Sequence, residues 1–304
     1  MSVKTNSDLI EKKQKLTIAK RNDLIQQLRF NLSRNEQLCV LYAISKIRPT
    51  DTIQQEYCFD ILEFQKLMDM ETESNIYPYI KKLLKNIRDK SAWVTSADGK
   101  SESIISWFGS VTITKGTGKV KIKFDEKLQP YLIDLHKQYE EKGICYTTYN
   151  LMMVLKMKSK YGIRLYELIK SYENMQRWEF EIEDLKEMMC AFDKDGKLLI
   201  PKTWGDFNHF RNKVIEPAIA DINNCSDLHI GYDTICAGRK VVKVTFFYVQ
   251  KTEEEFRKIF ASGFPALENL DDINLADLID NIRNSKEYKF KSEHSKNYFK
   301  STQT

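Results

Sequence analysis

The strongest constraint on the fold is an internal repeat. Residues 59–68 align without a gap on residues 180–189, so that aromatic, acidic, isoleucine and apolar positions coincide. In each copy a turn, a basic helix and two strand-like runs follow. A self-similar unit at long spacing indicates two related domains. Because a short strand, a helix, a turn, a second helix and a hairpin make a winged helix, the repeat predicts an α+β chain of two tandem winged-helix domains.

The repeat divides the 304 residues into four parts. We expect a flexible, lysine-rich N-terminus over residues 1–20, a first winged helix over 21–140 and a second over 145–250. Residues 251–304 are predicted to form a tail that is first acidic and then disordered. The acidic part has spaced leucines, so it either docks on a partner or stays loosely ordered.

Local patterns predict where the main helices begin and bend. Capping boxes begin at Ser33 and at Thr203, where a hydroxyl can bond the third amide of a helix. The second of these helices is predicted to reach Asn223. Pro217 lies inside it, removes one backbone hydrogen bond, and should bend the helix about one turn earlier.

Turn chemistry predicts the wings. Residues 93–95 and 104–108 flank an Asp-Gly pair and read as a hairpin, to which residues 120–124 add an alternating strand. Residues 130–139 are predicted to form a helix that connects the two halves, and residues 149–172 a basic helix of the second half.

The distribution of charge is more informative than its total. A formal net charge of +5 is modest, but the second helix of the first domain is rich in lysine and arginine. Another basic stretch opens the second domain. Basic residues clustered on helices are typical of a polyanion partner, although one such cluster alone is more often a solvated helix face.

We expect the outward faces of the two second helices to contact DNA. In a major groove, arginine and asparagine can form bidentate hydrogen bonds with guanine and adenine. The second domain therefore supplies the predicted base contacts, which are Asn208, Arg211 and Asn212. The predicted phosphate contacts are Lys158, Lys160, Arg164, Lys202, Lys213, Arg239 and Lys240 in the second domain, and Lys81, Lys82, Lys85 and Arg88 in the first.

Sequence patterns argue against an enzyme, a metal site or a membrane protein. The four histidines are scattered, no Cys-x-x-Cys occurs, and the phosphate-binding pattern Gly-x-x-x-x-Gly-Lys-Ser/Thr is missing. We therefore predict no cofactor and no catalysis. The six cysteines lie far apart, and no apolar run approaches the length of a membrane span, so we expect a cytoplasmic protein with reduced thiols.

The second half resembles plasmid replication initiators of the iteron-binding type. Residues 158–172 read Lys-Ser-Lys-Tyr-Gly-Ile-Arg-Leu-Tyr-Glu-Leu-Ile-Lys-Ser-Tyr, similar to the helix that opens that family's second winged helix. Residues 204–207 and 210–223 resemble its recognition helix, and residues 238–242 its closing hairpin. The resemblance runs from about residue 21 to residue 250. One departure is Gly162, where the family has a residue that favours helix, and we expect a slight loosening there.

The resemblance implies a function. Such a protein binds direct repeats (iterons) at a plasmid origin as a monomer, helps to open the origin and recruits host replication initiation proteins. Its dimer, formed through the first domain, binds an inverted repeat at its own promoter and represses it. The second domain reads most of the sequence, and the first contacts the DNA backbone. Two alternatives stay open: a winged-helix transcriptional repressor without a replication role and, disfavoured by the scattered histidines, a strand-nicking rolling-circle enzyme.

Overall fold

The computed structural model describes residues 16–28, 31–70, 75–95, 100–172, 179–190, 199–252, 254–255 and 258–259. The predicted flexible N-terminus lies outside these residues up to position 15. Residues 17–20 differ from that prediction, because Thr17–Arg21 forms a β-strand. The acidic and disordered tail that the sequence predicts beyond residue 259 lies outside the described residues.

The first domain has the elements of a winged helix, preceded by one strand and one short helix. Ser33 and Glu36 form the predicted capping box at the start of its first long helix. In chain order its elements are β1 (Thr17–Arg21), α1 (Asn22–Gln27), α2 (Arg34–Ile44), β2 (Tyr57–Asp60), α3 (Ile61–Leu67), α4 (Ile76–Asp89), β3 (Ser91–Thr95), β4 (Glu102–Ser106), β5 (Phe108–Ile113), β6 (Lys119–Phe124), the short 3-10 helix Gln129–Tyr131 and α5 (Leu135–Lys142).

The first domain contains two separate β-structures. Strands β3 and β4 form the predicted antiparallel hairpin, while β2, β6 and β5 form a three-stranded sheet in that order. The single strand predicted over residues 104–108 is interrupted at Trp107, a buried residue between β4 and β5. The sheet packs on α2 and α3 through a buried aromatic cluster, in which the rings of Tyr42 and Phe59 lie 5.4 Å apart.

The second domain repeats the plan in a simpler form. One continuous helix spans residues 207–225 and consists of two α-helical segments with a π-helical turn between them. We call it the recognition helix, because it occupies the position of the second helix of the helix-turn-helix. In chain order the elements are β7 (Tyr146–Asn150), α6 (Met152–Leu155), α7 (Lys160–Ser171), β8 (Glu179–Glu181), α8 (Ile182–Met189), the 3-10 helix Lys202–Gly205, α9 (Phe207–Phe210), the π turn Arg211–Ile215, α10 (Glu216–Cys225), β9 (Leu228–Ala237) and β10 (Lys240–Gln250).

The sheet registers confirm the internal repeat. The first domain orders its sheet β2-β6-β5 and the second β8-β10-β9, so the strand before each helix-turn-helix pairs with the last strand of its domain. Phe59 lies opposite Val120, and its repeat counterpart Phe180 lies opposite Val244. The repeat seen in the sequence is therefore also a repeat of strand pairing, and the α+β tandem winged-helix prediction is confirmed.

Strand β1 ties the two domains together. It pairs antiparallel with β7 over its whole length, from Thr17 opposite Asn150 to Arg21 opposite Tyr146. The Lys20 ammonium group forms a buried ion pair with Glu167 of α7, which also accepts a hydrogen bond from the hydroxyl of Tyr149. Burial lowers the pKa of Lys20 and raises that of Tyr149. Since these charges and hydrogen bonds are shielded from water, they fix the position of β1 on the second domain.

A second link joins α2 to the loop between α6 and α7. Arg34, the first residue of α2, donates hydrogen bonds to the carbonyl of Leu155 at 2.7 Å and to that of Met157. Burial lowers the pKa of this guanidinium group. Carbonyl groups at the end of a short helix need such donors, and here an arginine of the other domain supplies them.

Three local predictions were wrong. In place of one connecting helix over residues 130–139, the chain forms a 3-10 turn and then α5, separated by Asp134 with a positive φ of 55°. In place of one helix over residues 149–172, Tyr149 and Asn150 end strand β7, and two helices follow. Thr203 lies within a 3-10 helix and does not cap the recognition helix. That role belongs to Asp206, whose carboxylate accepts from the amide of Asn208 at 3.0 Å.

Candidate nucleic-acid interface

The recognition helix of the second domain separates an apolar face from a polar one. Its buried side chains include Phe210, Val214, Ala218 and Ile222, at the helical spacing expected for packing on α7. The polar side chains of the N-terminal half face outward: Asn208, Asn212 and Lys213 are exposed and Arg211 is half-buried. The structure therefore places the three predicted base contacts and one predicted phosphate contact on the same part of one helix.

A π turn lies where these side chains emerge. Pro217 has no amide hydrogen, so the carbonyl of Lys213 cannot accept the usual hydrogen bond from it. The amide of Glu216, the residue before Pro217, donates to the carbonyl of Arg211, five residues back instead of four. The wider turn spans Arg211–Ile215 and distorts the helix at the position where the sequence predicts a bend. A π turn rotates the side chains on its two sides relative to each other.

Local hydrogen bonds orient the polar face. Arg211 Nε lies 3.4 Å from the Asn212 side-chain oxygen, so the two predicted base contacts are neighbours. Behind them the hydroxyl of Tyr232 donates to the carboxylate of Glu216 at 2.7 Å. Burial, together with this hydrogen bond, raises the pKa of Tyr232 to about 12. The Tyr232–Glu216 contact joins the wing strand β9 to the helix directly beneath its polar face.

Asp221 anchors the recognition helix to the start of α7. Its carboxylate accepts hydrogen bonds from the amides of Lys158 at 3.0 Å and Ser159 at 2.7 Å. A Cβ atom at position 162 would lie 2.7 Å from that carboxylate, so only glycine allows the two helices to approach this closely. Gly162 is therefore required by packing, which corrects the expectation that it only loosens α7.

Lys251 also supports the C-terminal part of the same helix. Its ammonium group donates to the carbonyls of Asn223 and of Ser226, the latter at 2.7 Å, and so caps the C-terminus of α10. Burial lowers the pKa of Lys251 to about 8. A cation at this end is also favoured by the helix dipole.

Most of the predicted phosphate contacts of the second domain lie on its surface. Lys158, Lys202 and Lys213 are exposed, and Lys160 is half-buried beside the ring of Tyr161. The hairpin β9–β10 carries exposed Arg239 and Lys240 at its tip, where Gly238 adopts a positive φ of 63°. These positions suit backbone contact, since a wing tip can reach a phosphate beside the recognition helix.

Arg164 is placed differently. Its Nε donates to the carbonyl of Met188 at 2.9 Å, and its side chain packs near Glu167 and Trp107 between the domains. This environment suits a structural role in the contact between α7 and α8 better than a contact with phosphate. Lys160 and Arg164 are four residues apart and share one face of α7, but Arg164 is tied to the carbonyl of Met188 in α8, which the sequence pattern alone did not reveal.

The second helix of the first domain exposes the predicted basic residues. Ile80, Leu83, Leu84 and Ile87 of α4 are buried, while Lys81, Lys82, Lys85 and Arg88 are exposed. Lys85 forms an ion pair with Asp89, and an Arg88 nitrogen lies 3.4 Å from the hydroxyl of Ser106. The face is positive but, unlike that of the second domain, it offers lysine rather than asparagine.

Sequence reasoning missed the wing of the first domain. Strands β5 and β6 are joined by a turn in which Gly116 and Gly118 have positive φ angles of 78° and 67°. The turn carries exposed Lys115 and Lys119. Tyr77 of α4 lies under it, so close that a Cβ atom at position 118 would be 2.8 Å from its hydroxyl. Residues 116–119 read Gly-Thr-Gly-Lys, which does not complete a phosphate-binding motif, and they lie at the turn of the first wing.

None of the helices in the part of the chain that the structure describes is long and apolar enough to span a membrane. Over the same residues, no three or more histidine, cysteine, aspartate or glutamate side chains are grouped so that they could hold a metal ion.

Similarity to known proteins agrees with this geometry. A protein of Escherichia coli called PI protein is 30% identical over 160 residues, which is 50% of each chain, so the chain spans about half the length of this curated relative. The crystal structure of Pi initiator protein in complex with iteron DNA superposes with a TM-score of 0.62 at 22% identity, covering 79% of this chain and 99% of that one. A crystal structure of domains 2 and 3 of RctB superposes with a TM-score of 0.42 at 11% identity, covering 71% of this chain and 81% of that one.

Family models match both halves of the chain. Residues 17–170 match the initiator replication protein domain described as WH1, and residues 181–248 match the initiator Rep protein domain described as WH2. The first model thus begins at β1 and extends through β7 and most of α7. Together the two models cover most of the described structure, and they carry the same tandem winged-helix order as the fold. The chain therefore belongs to the family of initiator replication proteins.

Proposed function

We propose that this protein is a plasmid replication initiator that binds direct repeats, or iterons, at a replication origin. The observation that supports this most is the recognition helix, which carries Asn208, Arg211 and Asn212 on one polar surface and is held near its C-terminal end by Asp221 and Lys251. A solved relative with the same fold was crystallised with iteron DNA. Binding DNA, rather than catalysis, is the activity that this arrangement supports.

The two domains contribute differently to binding in this proposal. The second domain, residues 145–250, reads base edges through the recognition helix and anchors phosphates through Lys202, Lys213 and the tip of its wing. The first domain, residues 21–140, contacts the backbone through α4 and mediates dimerisation. Strand β1 and Arg34 hold the two domains in register along the DNA. Host replication proteins complete origin opening in the cytoplasm.

The protein is also proposed to repress its own promoter as a dimer. A dimer with twofold symmetry matches an inverted repeat, whereas a monomer matches one direct repeat. The two forms should therefore leave different footprints. A transcriptional repressor without a role in replication would leave the footprint on the inverted repeat and lack the one on the direct repeats.

Footprinting tests the proposal. Purified protein is incubated at near-physiological salt with the DNA that flanks its coding region, and protected segments are mapped. We expect several protected direct repeats at helical-turn spacing, and the Arg211→Ala variant should lose this protection first. A single protected palindrome would favour the repressor, and protection without sequence selectivity would overturn the initiator proposal.

A further inference from the structure

The outer face of the sheet in the first domain is basic. Along β6 the side chains of Val120, Ile122 and Phe124 point into the core and are buried, so the alternate residues point outward. The strand registers bring neighbours from β5 and β2 beside them. We call this set the basic sheet face: Lys119, Lys121, Lys123, Ser110, Thr112, Cys58 and Asp60.

The positive charge of this face is largely uncompensated. Lys121 lies between Cys58 and Thr112 in the register, and neither is charged. Asp60, its one carboxylate, is engaged in capping α3 by accepting from the amide of Leu62 at 2.8 Å. Lys123 has Glu126 at 3.6 Å, a loose contact to an exposed side chain. Three lysines therefore stand against two carboxylates, Asp60 and Glu126, and the face keeps a net positive charge.

The equivalent face of the second domain is acidic. Because Val244 corresponds to Val120, the outward residues of β10 and its neighbours can be matched position by position. Lys243 donates to Glu179 at 2.8 Å and lies 3.2 Å from Glu181, and these contacts raise its pKa. Exposed Asp233 adds a further carboxylate. We call this set the acidic sheet face: Glu179, Glu181, Gly231, Asp233, Lys243, Thr245 and Phe247.

The matched faces of the two domains carry opposite charges. This suggests contact between two molecules of the protein, called copies below, that are bound to neighbouring DNA repeats. Direct repeats arrange bound copies head to tail, so the first domain of one copy approaches the second domain of the next. Such a contact is heterologous and needs two different, complementary surfaces. We propose that the basic sheet face of one copy binds the acidic sheet face of its neighbour on tandem repeats and makes their binding cooperative. The inference rests on the proposed binding of direct repeats.

Charge reversal on the basic face tests this proposal. The variant Lys121→Glu/Lys123→Glu is compared with the wild type on duplexes that carry one or two of the repeats protected in the footprint. The readout is cooperativity, the gain in affinity for the second occupied repeat over the single one. We expect cooperativity to fall about fivefold and affinity for the single repeat to stay unchanged. Raising the salt concentration should reduce the wild-type cooperativity in the same direction.

Two further variants sharpen the test. Adding Glu179→Lys and Glu181→Lys to the reversed chain exchanges the signs of the two faces and should restore cooperativity. Lys137→Glu is the matched control, because this lysine of α5 is 69% exposed and lies away from both faces. The control should leave cooperativity at the wild-type value.

The outcomes separate the two proposals. Unchanged cooperativity in the reversed variant, or no rescue by the exchanged charges, would overturn the contact between copies while the binding of repeats stands. An equal loss on one and two repeats would show that the basic face contacts DNA, and it would overturn the contact as well. If the wild type shows no preference for the repeats, the proposed function itself fails and the contact between copies falls with it.

Discussion

Arg211 and Lys213 lie two residues apart on the recognition helix and should act on DNA in different ways. An arginine can hold both acceptors of a guanine, whereas lysine is a flexible point charge. We expect Arg211→Ala to weaken binding to the specific repeat by about 1–3 kcal/mol and to leave non-specific binding nearly unchanged. Lys213→Ala should weaken both kinds of binding alike and reduce the salt slope by about one unit. Titrations on specific and scrambled duplexes over a salt series measure both effects.

Arg211→Ala and Lys213→Ala also serve as controls for each other. They remove one positive charge from the same exposed surface, so a general loss of electrostatic attraction would affect them equally. If Arg211→Ala lost as much affinity for scrambled DNA as for the repeat, Arg211 would be a phosphate contact, and the base readout would have to come from Asn208 and Asn212.

Gly162 shows how one missing side chain can determine the packing of two helices. Alanine is preferred over glycine inside a helix by about 1 kcal/mol, so propensity alone predicts that Gly162→Ala stabilises the protein. The Cβ atom would, however, lie 2.7 Å from the carboxylate of Asp221 and displace it from the amides that it caps. We expect a net loss of about 1–3 kcal/mol in the free energy of unfolding, measured by urea titration.

Gly205→Ala provides the reference for that measurement. No atom lies within 4 Å of a Cβ built at Gly205, so this variant changes backbone freedom without a steric clash. It should leave stability unchanged or raise it slightly. Equal behaviour of the two variants would mean that α7 and the recognition helix separate easily.

At the scale of the element, the π turn sets the direction of the side chains that we propose as base contacts. In Pro217→Ala the new amide can donate to the carbonyl of Lys213, so the turn can relax to a regular α-helix. A π turn contains one residue more than a regular α-helical turn. Its relaxation therefore rotates the side chains before the turn by about 100° relative to those after it. We expect the preference for the specific repeat to fall by about 1–3 kcal/mol while thermal stability is kept or increased. Competition binding and thermal unfolding of the same preparation test this.

Pro130→Ala is the control for that variant. Pro130 is exposed in a 3-10 turn of the first domain, so its replacement has a similar effect on the unfolded chain. Its DNA preference should equal that of the wild type. If Pro217→Ala also kept the full preference, the π turn would be a consequence of the proline with no part in recognition.

Elements that depend on local pattern were predictable from the sequence, and those that depend on distant contacts were not. The apolar face of the recognition helix, the capping box at Ser33 and the β3–β4 hairpin follow from spacing and turn residues nearby in the chain. The bend before Pro217 follows from a missing amide. Strand β1 could not be predicted in this way, because its partner lies more than a hundred residues away. The position of the half-buried Arg164 likewise depends on the carbonyl of Met188, which belongs to another helix.

At the scale of the whole molecule, a buried ion pair joins β1 to the second domain. Lys20 and Glu167 are 5% and 6% exposed, and Tyr149 donates to the same carboxylate. Removing only the cation leaves a buried carboxylate without its partner, which typically costs about 3–5 kcal/mol. We expect Lys20→Met to lower the free energy of unfolding by that amount in a urea titration. Lys85→Met breaks an exposed pair with Asp89 and should change it by less than about 0.5 kcal/mol.

A double variant separates the cost of the stranded charge from the loss of the lysine. In Lys20→Met/Glu167→Gln the side chain at position 167 is neutral and its oxygen can still accept from the hydroxyl of Tyr149. Most of the lost stability should therefore return, because the buried charge, rather than the missing pair, accounts for the loss. If the double variant were as unstable as the single one, the ion pair itself would hold β1 in place. A single variant as mild as Lys85→Met would instead mean that water reaches Glu167 and that β1 is only weakly attached to the second domain.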